Sequence, residues 1–180
     1  MKCAVIGSGS SLLDFNLARI KDMDRIAINS SLKVLPCQYL VFLDAEFPET
    51  YTDELLKFKG EIYCSDRAAA KIQELDLPIE YTSFRTQYNA IATDWIDPII
   101  GMMSGLAALN IALLLGYKEI YLIGYDLYPG HIYQRPNKAY SDEWTINKIV
   151  NKFELFKDVD AKIYNCNPHS RIKTFPFQIP

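Results

Sequence analysis

Between Ser104 and Ile123 the chain reads SGLAALNIALLLGYKEIYLI. The first half is a helical stretch apolar nearly all round, so it has no face meant for water. Ser104 is a good N-cap, and Gly116 stands where a C′ glycine would end the helix. Ile120 to Ile123 then runs apolar on both faces, as a central parallel strand requires. A buried helix feeding a doubly buried strand calls for a parallel sheet covered on both sides.

The rest of the chain alternates to match. Strand-like runs are KCAVIG (2–7), RIAIN (25–29), YLVFLD (39–44), EIYCS (61–65), a weaker PIEYTS (78–83) and AKIYNC (161–166). Between them lie helical patterns at 10–20, 49–58, 66–75 and 143–156. Asp66 suits the dipole at the start of its helix. The expected fold is α/β, a Rossmann-like three-layer sandwich with a mostly parallel central sheet. With 180 residues, one domain spanning 1–180 is the default. From 85 to 100 the periodicity disappears, which reads either as a lid or as an irregular connection. A second lid segment is expected over 128–142.

Composition narrows the function classes. A net charge of −3 argues against broad nucleic-acid binding. Cys3, Cys37, Cys64 and Cys166 form no C-x-x-C pair, which disfavours zinc and fits a reducing, cytoplasmic compartment. The apolar stretch Leu106 to Leu115 is far short of the ~20 residues a membrane span needs. A homo-oligomer is an open option.

In a sheet of this kind ligands bind where the strands end, near the point at which strand order reverses. Candidate chemistry collects at those ends. Gly7, Ser8, Gly9, Ser10 and Ser11 form a glycine turn between the first strand and the next segment, suited to a phosphate. Leu12 replaces the third glycine of a dinucleotide fingerprint, and the second strand ends in Asn29, Ser30 and Ser31 rather than an acid, which disfavours NAD. The lysine of a phosphate loop is absent too. Asn29 can read a base or sugar edge, or cap the segment that follows. Asp44 and Glu46 end the third strand as a carboxylate pair that can hold Mg²⁺, or as a solvated turn. Ser104 and Gly105 can offer a hydroxyl and helix amides to an anion. Beyond the IYLI strand come Asp126, Tyr128, His131, Tyr133, Arg135 and Tyr140. Phenols and a guanidinium there can stabilise a departing phosphate. Asn167, His169 and Ser170 follow the last strand, and the His is a conceivable acid or base.

The stretch MSGLAALNIALLLGYKEIYLIGYDLY resembles the core of the bacterial sialyltransferases of glycosyltransferase family 42, and the wider group related to the hydroxymethyl-dihydropterin diphosphokinases. The shared pattern is a small-residue turn after the first strand, an Asn after the second, a Ser-Gly helix start, and L-G-Y-K-E-I-Y-L-x-G-x-D-x-Y. The C-terminal YNCNPHS matches as well. The resemblance implies a nucleotide-binding domain that takes a cytidine nucleotide-sugar donor, with Ser8, Asn29, Asp44 and Ser104 as nucleotide contacts. It implies Tyr128 and Tyr133 as the phosphate tyrosines. Counted back from CNPHS, the family's catalytic His position holds Glu143. Ser8 and Asp44 stand where the sialyltransferases carry Asn.

The leading expectation is therefore a nucleotide-dependent transferase, a glycosyltransferase with a nucleotide-activated sugar and no required cofactor. Glu143 or His131 would activate the acceptor hydroxyl. One alternative is a Mg²⁺-dependent diphosphotransferase with Asp44 and Glu46 on the metal. Another is a nucleotide-binding module without catalysis.

Overall fold

The computed structural model describes residues 1–127 and 143–180. In chain order the strands are β1 (Lys2–Ile6), β2 (Asp24–Ile28), β3 (Tyr39–Phe42), β4 (Glu61–Ser65), β5 (Thr82–Phe84), a two-residue pair β6 (Thr86–Gln87) and β7 (Ile99–Ile100), then β8 (Glu119–Ile123) and β9 (Lys162–Asn165). The helices are α1 (Phe47–Thr50), α2 (Thr52–Lys57), α3 (Asp66–Glu74), α4 (Ser104–Leu114) and α5 (Glu143–Lys152).

Seven strands form one sheet in the order β5-β4-β3-β2-β1-β8-β9, and every pairing in it is parallel. From β1 the chain steps outward to β5. It then crosses back to lay β8 on the other flank of β1, where Cys3 faces Ile120 and Val5 faces Leu122. Strand order thus reverses between β1 and β8. β6 and β7 pair with each other outside this sheet.

Alternation along the strands fills three clusters. Cys3, Val5, Ile26, Ile28, Val41, Ile120 and Leu122 face α4 and α5. Their neighbours Ala27, Leu40, Phe42, Ile62 and Cys64 face α1 to α3. Ala4, Ile6, Tyr121 and Ile123 face the two short turns after β1. Every residue from Ser104 to Ala112 is buried, as an all-apolar helix demands.

Four local expectations differ. Residues 10–20 are two 3₁₀ turns, Ser10–Asp14 and Leu17–Ile20, rather than one helix. Asn16 between them is extended and accepts a hydrogen bond from the Ala18 amide, so it starts a new turn instead of continuing the first. The 49–58 helix begins earlier and breaks at Tyr51, whose ring stacks on Phe47 while Phe47 stacks on Phe42. The weak strand at 78–83 shifts to Thr82–Phe84. The 143–156 helix is α-helical to Lys152 and closes as a 3₁₀ turn, Phe153–Phe156.

The aperiodic 85–100 segment is anchored rather than loose. Asn110, fully buried in α4, accepts from the Ala92 amide at 2.8 Å and donates to the Ala92 carbonyl at 2.9 Å. β6 and β7 close its base, and Lys152 of α5 donates to Asn89 at 2.9 Å. Tyr88, Trp95 and Ile96 stay exposed on its surface, with Trp95 stacked on Tyr63.

Candidate functional site

The carboxyl ends of β1, β2, β3 and β8 form one rim, and side chains stitch its neighbours together. Ser31 donates to the Ile6 carbonyl at 2.6 Å and accepts from the Ile28 amide at 2.8 Å, joining β1 to β2. Ser104 donates to Asn29 Oδ1 at 3.3 Å and accepts from the Leu43 amide at 3.3 Å, joining the ends of β2 and β3 to the start of α4. Ser65 donates to the Leu43 carbonyl at 2.7 Å and caps α3 through the Ala68 amide, joining β3 to β4.

The β1–β8 junction is tightest. Gly7 and Gly9 amides donate to the Ile123 and Gly124 carbonyls at 2.8 and 2.9 Å. A Cβ on Gly7 would lie 2.6 Å from the Gly124 carbonyl oxygen, and one on Gly9 2.6 Å from the Asp126 carboxyl. Gly124 itself sits at φ +69. These glycines serve contact between two strand ends. Asp126 is buried and accepts from the Ser11 amide at 2.8 Å, from both Ser10 and Ser11 hydroxyls, and from Asn167 Nδ2 at 2.8 Å. Its oxygens face the turn and the tail. Ser8 lies half-buried inside the same turn.

On the β2–β3 side the rim is less closed. Asn29 has φ 50, a left-handed conformation that Asn tolerates better than most residues. Its Oδ1 takes the Ser104 hydroxyl, and its amide nitrogen has no partner among the described residues. Ser30 is 6% exposed and its hydroxyl likewise makes no described bond. Ser104 is the first residue of α4, not its cap: Met103 takes the N-cap position without a side-chain bond, and its carbonyl accepts from Leu106 and Ala107. The Ser104 and Gly105 amides find no backbone acceptor among the described residues and lie at the positive end of the buried helix. Gly105 is small for a packing reason: a Cβ there would come within 3.1 Å of the Tyr125 ring. Tyr125 is a buried pillar whose hydroxyl donates to the Gly105 carbonyl at 3.0 Å, and burial holds that phenol well above its ordinary pKa.

Asp44 and Glu46 are both exposed beyond β3. No group of three or more His, Cys, Asp or Glu side chains suited to a metal forms among the described residues. A pair of carboxylates still matches what Mg²⁺ takes from protein when phosphates complete its shell. Glu143 opens α5 and is gripped by the Arg171 guanidinium, with Nη1 to Oε2 at 2.9 Å and a second bond from Nη2. The hydrogen bond from Arg171 holds the Glu143 carboxyl below its ordinary range. A carboxylate kept ionised in this way is a weaker proton acceptor. His169 is exposed in the tail beside Asn167. Tyr128, His131, Tyr133, Arg135 and Tyr140, and the expected lid over 128–142, lie outside the described residues.

The structure thus gathers Gly7 to Ser11, Asn29, Ser30, Ser104, Gly105 and Asp126 along one rim, with Asp44 at its β3 end. Sequence reasoning missed Ser31, Ser65, Tyr125 and Asn110. The first two were visible as serines at or just past the ends of apolar strands, where a hydroxyl can bond a neighbouring strand's last backbone groups. A surface depression of about 530 Å³ lined by Lys118, Val159, Asp160, Ala161 and Lys162 lies at the opposite, amino-terminal edge, and there Lys118 is paired with Asp160.

No protein-family model matches the chain, and no curated protein does. Solved structures match. The sialyltransferase CST-II in complex with trisaccharide acceptor and CMP is 22% identical at a TM-score of 0.65, with 100% of this chain and 86% of that chain covered. This chain has that fold. A point mutant of the alpha-2,3/8-sialyltransferase CstII gives 21% identity and a TM-score of 0.63, covering 100% of this chain and 87% of that one. The MAf glycosyltransferase from Magnetospirillum magneticum AMB-1 gives 17% identity and a TM-score of 0.69, with 98% of this chain spanning 33% of that longer chain. None of these three is a pterin diphosphokinase. No helix among the described residues is long and apolar enough to cross a membrane.

Proposed function

We propose that this chain is a nucleotide-dependent glycosyltransferase whose donor is a nucleotide-activated sugar, with a cytidine nucleotide favoured. The observation that carries the reading is the less closed side of the rim at β2 and β3. Asn29 is held left-handed there, and among the described residues its side-chain nitrogen and the Ser104 and Gly105 amides at the start of the buried helix take no partner. A polar edge reader beside an anion-attracting helix end suits a nucleoside phosphate. The likeness to a sialyltransferase crystallised with CMP supports the same choice.

In the proposed reaction an acceptor hydroxyl attacks the anomeric carbon of the donor sugar. The new carbon–oxygen bond forms as the bond from that carbon to the phosphate oxygen breaks. The phosphate leaves with the electron pair, and the hydroxyl proton passes to a base. The Ser104 and Gly105 amides meet the phosphate, and Tyr128 and Tyr133 donate to the leaving oxygen. With Glu143 gripped by Arg171, His131 is the better base. The same grip favours a second reading, a nucleotide-binding module without turnover.

Thermal unfolding against CMP, CDP, CTP, GTP and ATP, each with Mg²⁺ or EDTA, tests both. A ligand at 100 times its Kd adds about 2.7 kcal/mol, which in a domain of this size raises Tm by roughly 5–11 °C. The proposal expects a cytidine response indifferent to EDTA, followed by donor turnover. A triphosphate response that vanishes in EDTA would move Asp44 and Glu46 to the centre as metal ligands. Binding without turnover would support the inert module, and no response to any nucleotide would end the proposal.

A further inference from the structure

Asp126 follows β8, whose end lies at the donor rim, yet its carboxylate does not reach into open space. It is 4% exposed, and donors surround it. Oδ2 accepts from the Ser11 amide at 2.8 Å and from the Ser10 hydroxyl at 3.3 Å. Oδ1 accepts from Asn167 Nδ2 at 2.8 Å and from the Ser11 hydroxyl. A buried carboxylate needs such compensation, and here neutral donors supply it. Moreover, the Gly7, Gly9 and Ser11 amides bond in turn to the Ile123 carbonyl, the Gly124 carbonyl and the Asp126 carboxylate. The β1–β8 ladder therefore runs past both strands, and its last rung is a side chain.

We infer that Asp126 is a positioning residue: its carboxylate clasps the Gly7–Ser11 turn to β8 and to the tail, fixing the turn at the β1 end of the rim that takes the donor. The inference rests on the donor-site reading above. It assigns Asp126 no contact with nucleotide or metal, since both oxygens already accept from the protein.

The donor pattern makes this testable by a swap. The Ser11 amide and Asn167 Nδ2 can only donate, so both Asp126 oxygens must accept. Asp126→Asn offers one acceptor and leaves one of these donors facing another donor. Asn167→Asp sets two carboxylates against each other. The double variant Asp126→Asn/Asn167→Asp restores a donor opposite an acceptor, and its new carboxylate can still accept from the His169 amide, as Asn167 Oδ1 does at 2.9 Å.

Two quantities are measured on the full chain: exchange of the Ser11 amide proton, and the Kd for CMP by calorimetry where every variant is folded. Each single change is expected to speed Ser11 exchange and weaken CMP by about tenfold, the scale of one orphaned buried donor. The swap is expected to bring both back to within about threefold of wild type. A role in stability alone would lower Tm and leave the CMP affinity of the folded variants untouched, and that outcome overturns the inference. So does an Asp126→Asn variant in which Ser11 exchange and CMP affinity are both unchanged, or a swap no better than its parts. If the wild-type chain binds no CMP, the cytidine preference falls by itself and Ser11 exchange alone decides the clasp. If Asp126→Asn does not fold, the swap carries the test: wild-type Ser11 protection in it supports the clasp, and an unfolded swap overturns it.

Discussion

Asn110 is a single amide in the buried run of α4, and replacing it with leucine has a calculable cost. The side chain is 0% exposed and bonds both backbone groups of Ala92, at 2.8 and 2.9 Å, with a longer contact at 3.4 Å from the Ile100 amide. Asn110→Leu keeps roughly the same volume and removes every one of these partners. Ala92 is only 3% exposed, so water cannot replace them without opening the segment. Two orphaned backbone groups at about 1–3 kcal/mol each give a loss of roughly 2–6 kcal/mol. At ~2–4 °C per kcal/mol the midpoint falls by roughly 4–24 °C. Because the loss is local, the 85–100 segment should open before the sheet does. The assay is thermal unfolding together with chymotrypsin digestion, which reads the exposed Tyr88 and Trp95. Cleavage there is expected to accelerate well below the midpoint. A leucine variant that melts with the wild type and is cut no faster would refute the claim that this one amide pins the segment.

Other outcomes follow from the same geometry. Gly9→Ala keeps an ordinary backbone conformation (φ −66, ψ 153), so its cost is overlap with Asp126, about 1–3 kcal/mol by thermal or urea unfolding; a neutral result would mean the β1–β8 junction gives way easily. Gly116→Ala has room, with Met1 Cε as its nearest neighbour at 3.6 Å, but sits at φ +84, so about 1–2 kcal/mol of backbone strain is expected there instead. Arg171 lowers the folded-state pKa of Glu143, so the stability this pair adds is complete above the ordinary carboxylate pKa and is lost as pH falls through the lower folded value. The Tm gap between wild type and Glu143→Gln should therefore be open at about pH 7 and close near about pH 3, and a gap constant with pH would contradict it. Among the thiols, Cys3 and Cys64 are fully covered, and burial pushes Cys37 up to about 11 and Cys166 up to about 12. Native-state labelling at mild alkaline pH should modify Cys37 first and slowly; rapid reaction at Cys64 would show that the sheet opens.

Much of the architecture could be read from apolar periodicity alone. The strands at β1, β2, β3, β4, β8 and β9 and the buried α4 all follow from runs whose burial leaves few alternatives. Where the reading slipped, local bonds outweighed hydrophobic pattern. Asn16 divides the segment after β1, and the Phe42–Phe47–Tyr51 stack bends the helix after β3. The rim residues were legible as types and not as roles. Gly7, Gly9 and Asp126 suggested ligand contact, while Asp126 faces its own turn across a separation of 115 residues, a pairing that no local pattern encodes. Ser104 was identified by its place before an apolar helix, yet its hydroxyl joins β2 to β3 rather than capping α4.

β1 is interior to the sheet and the first of its strands in the chain, and this has a consequence for synthesis. Its first partner, β2, begins at Asp24, but its second, β8, begins at Glu119, and the Lys2–Glu119 ion pair spans a separation of 117 residues. A nascent chain can assemble β1 to β5 while one whole side of β1 waits for a strand still to be made. During that wait a strand that ends up inside the sheet is an open edge, ready to pair with a neighbouring polypeptide. Slow, long-range closure of this kind sets the hazard by its duration, so slower growth temperature or chaperone cover should raise the yield of folded protein more than any stabilising change to the finished sheet.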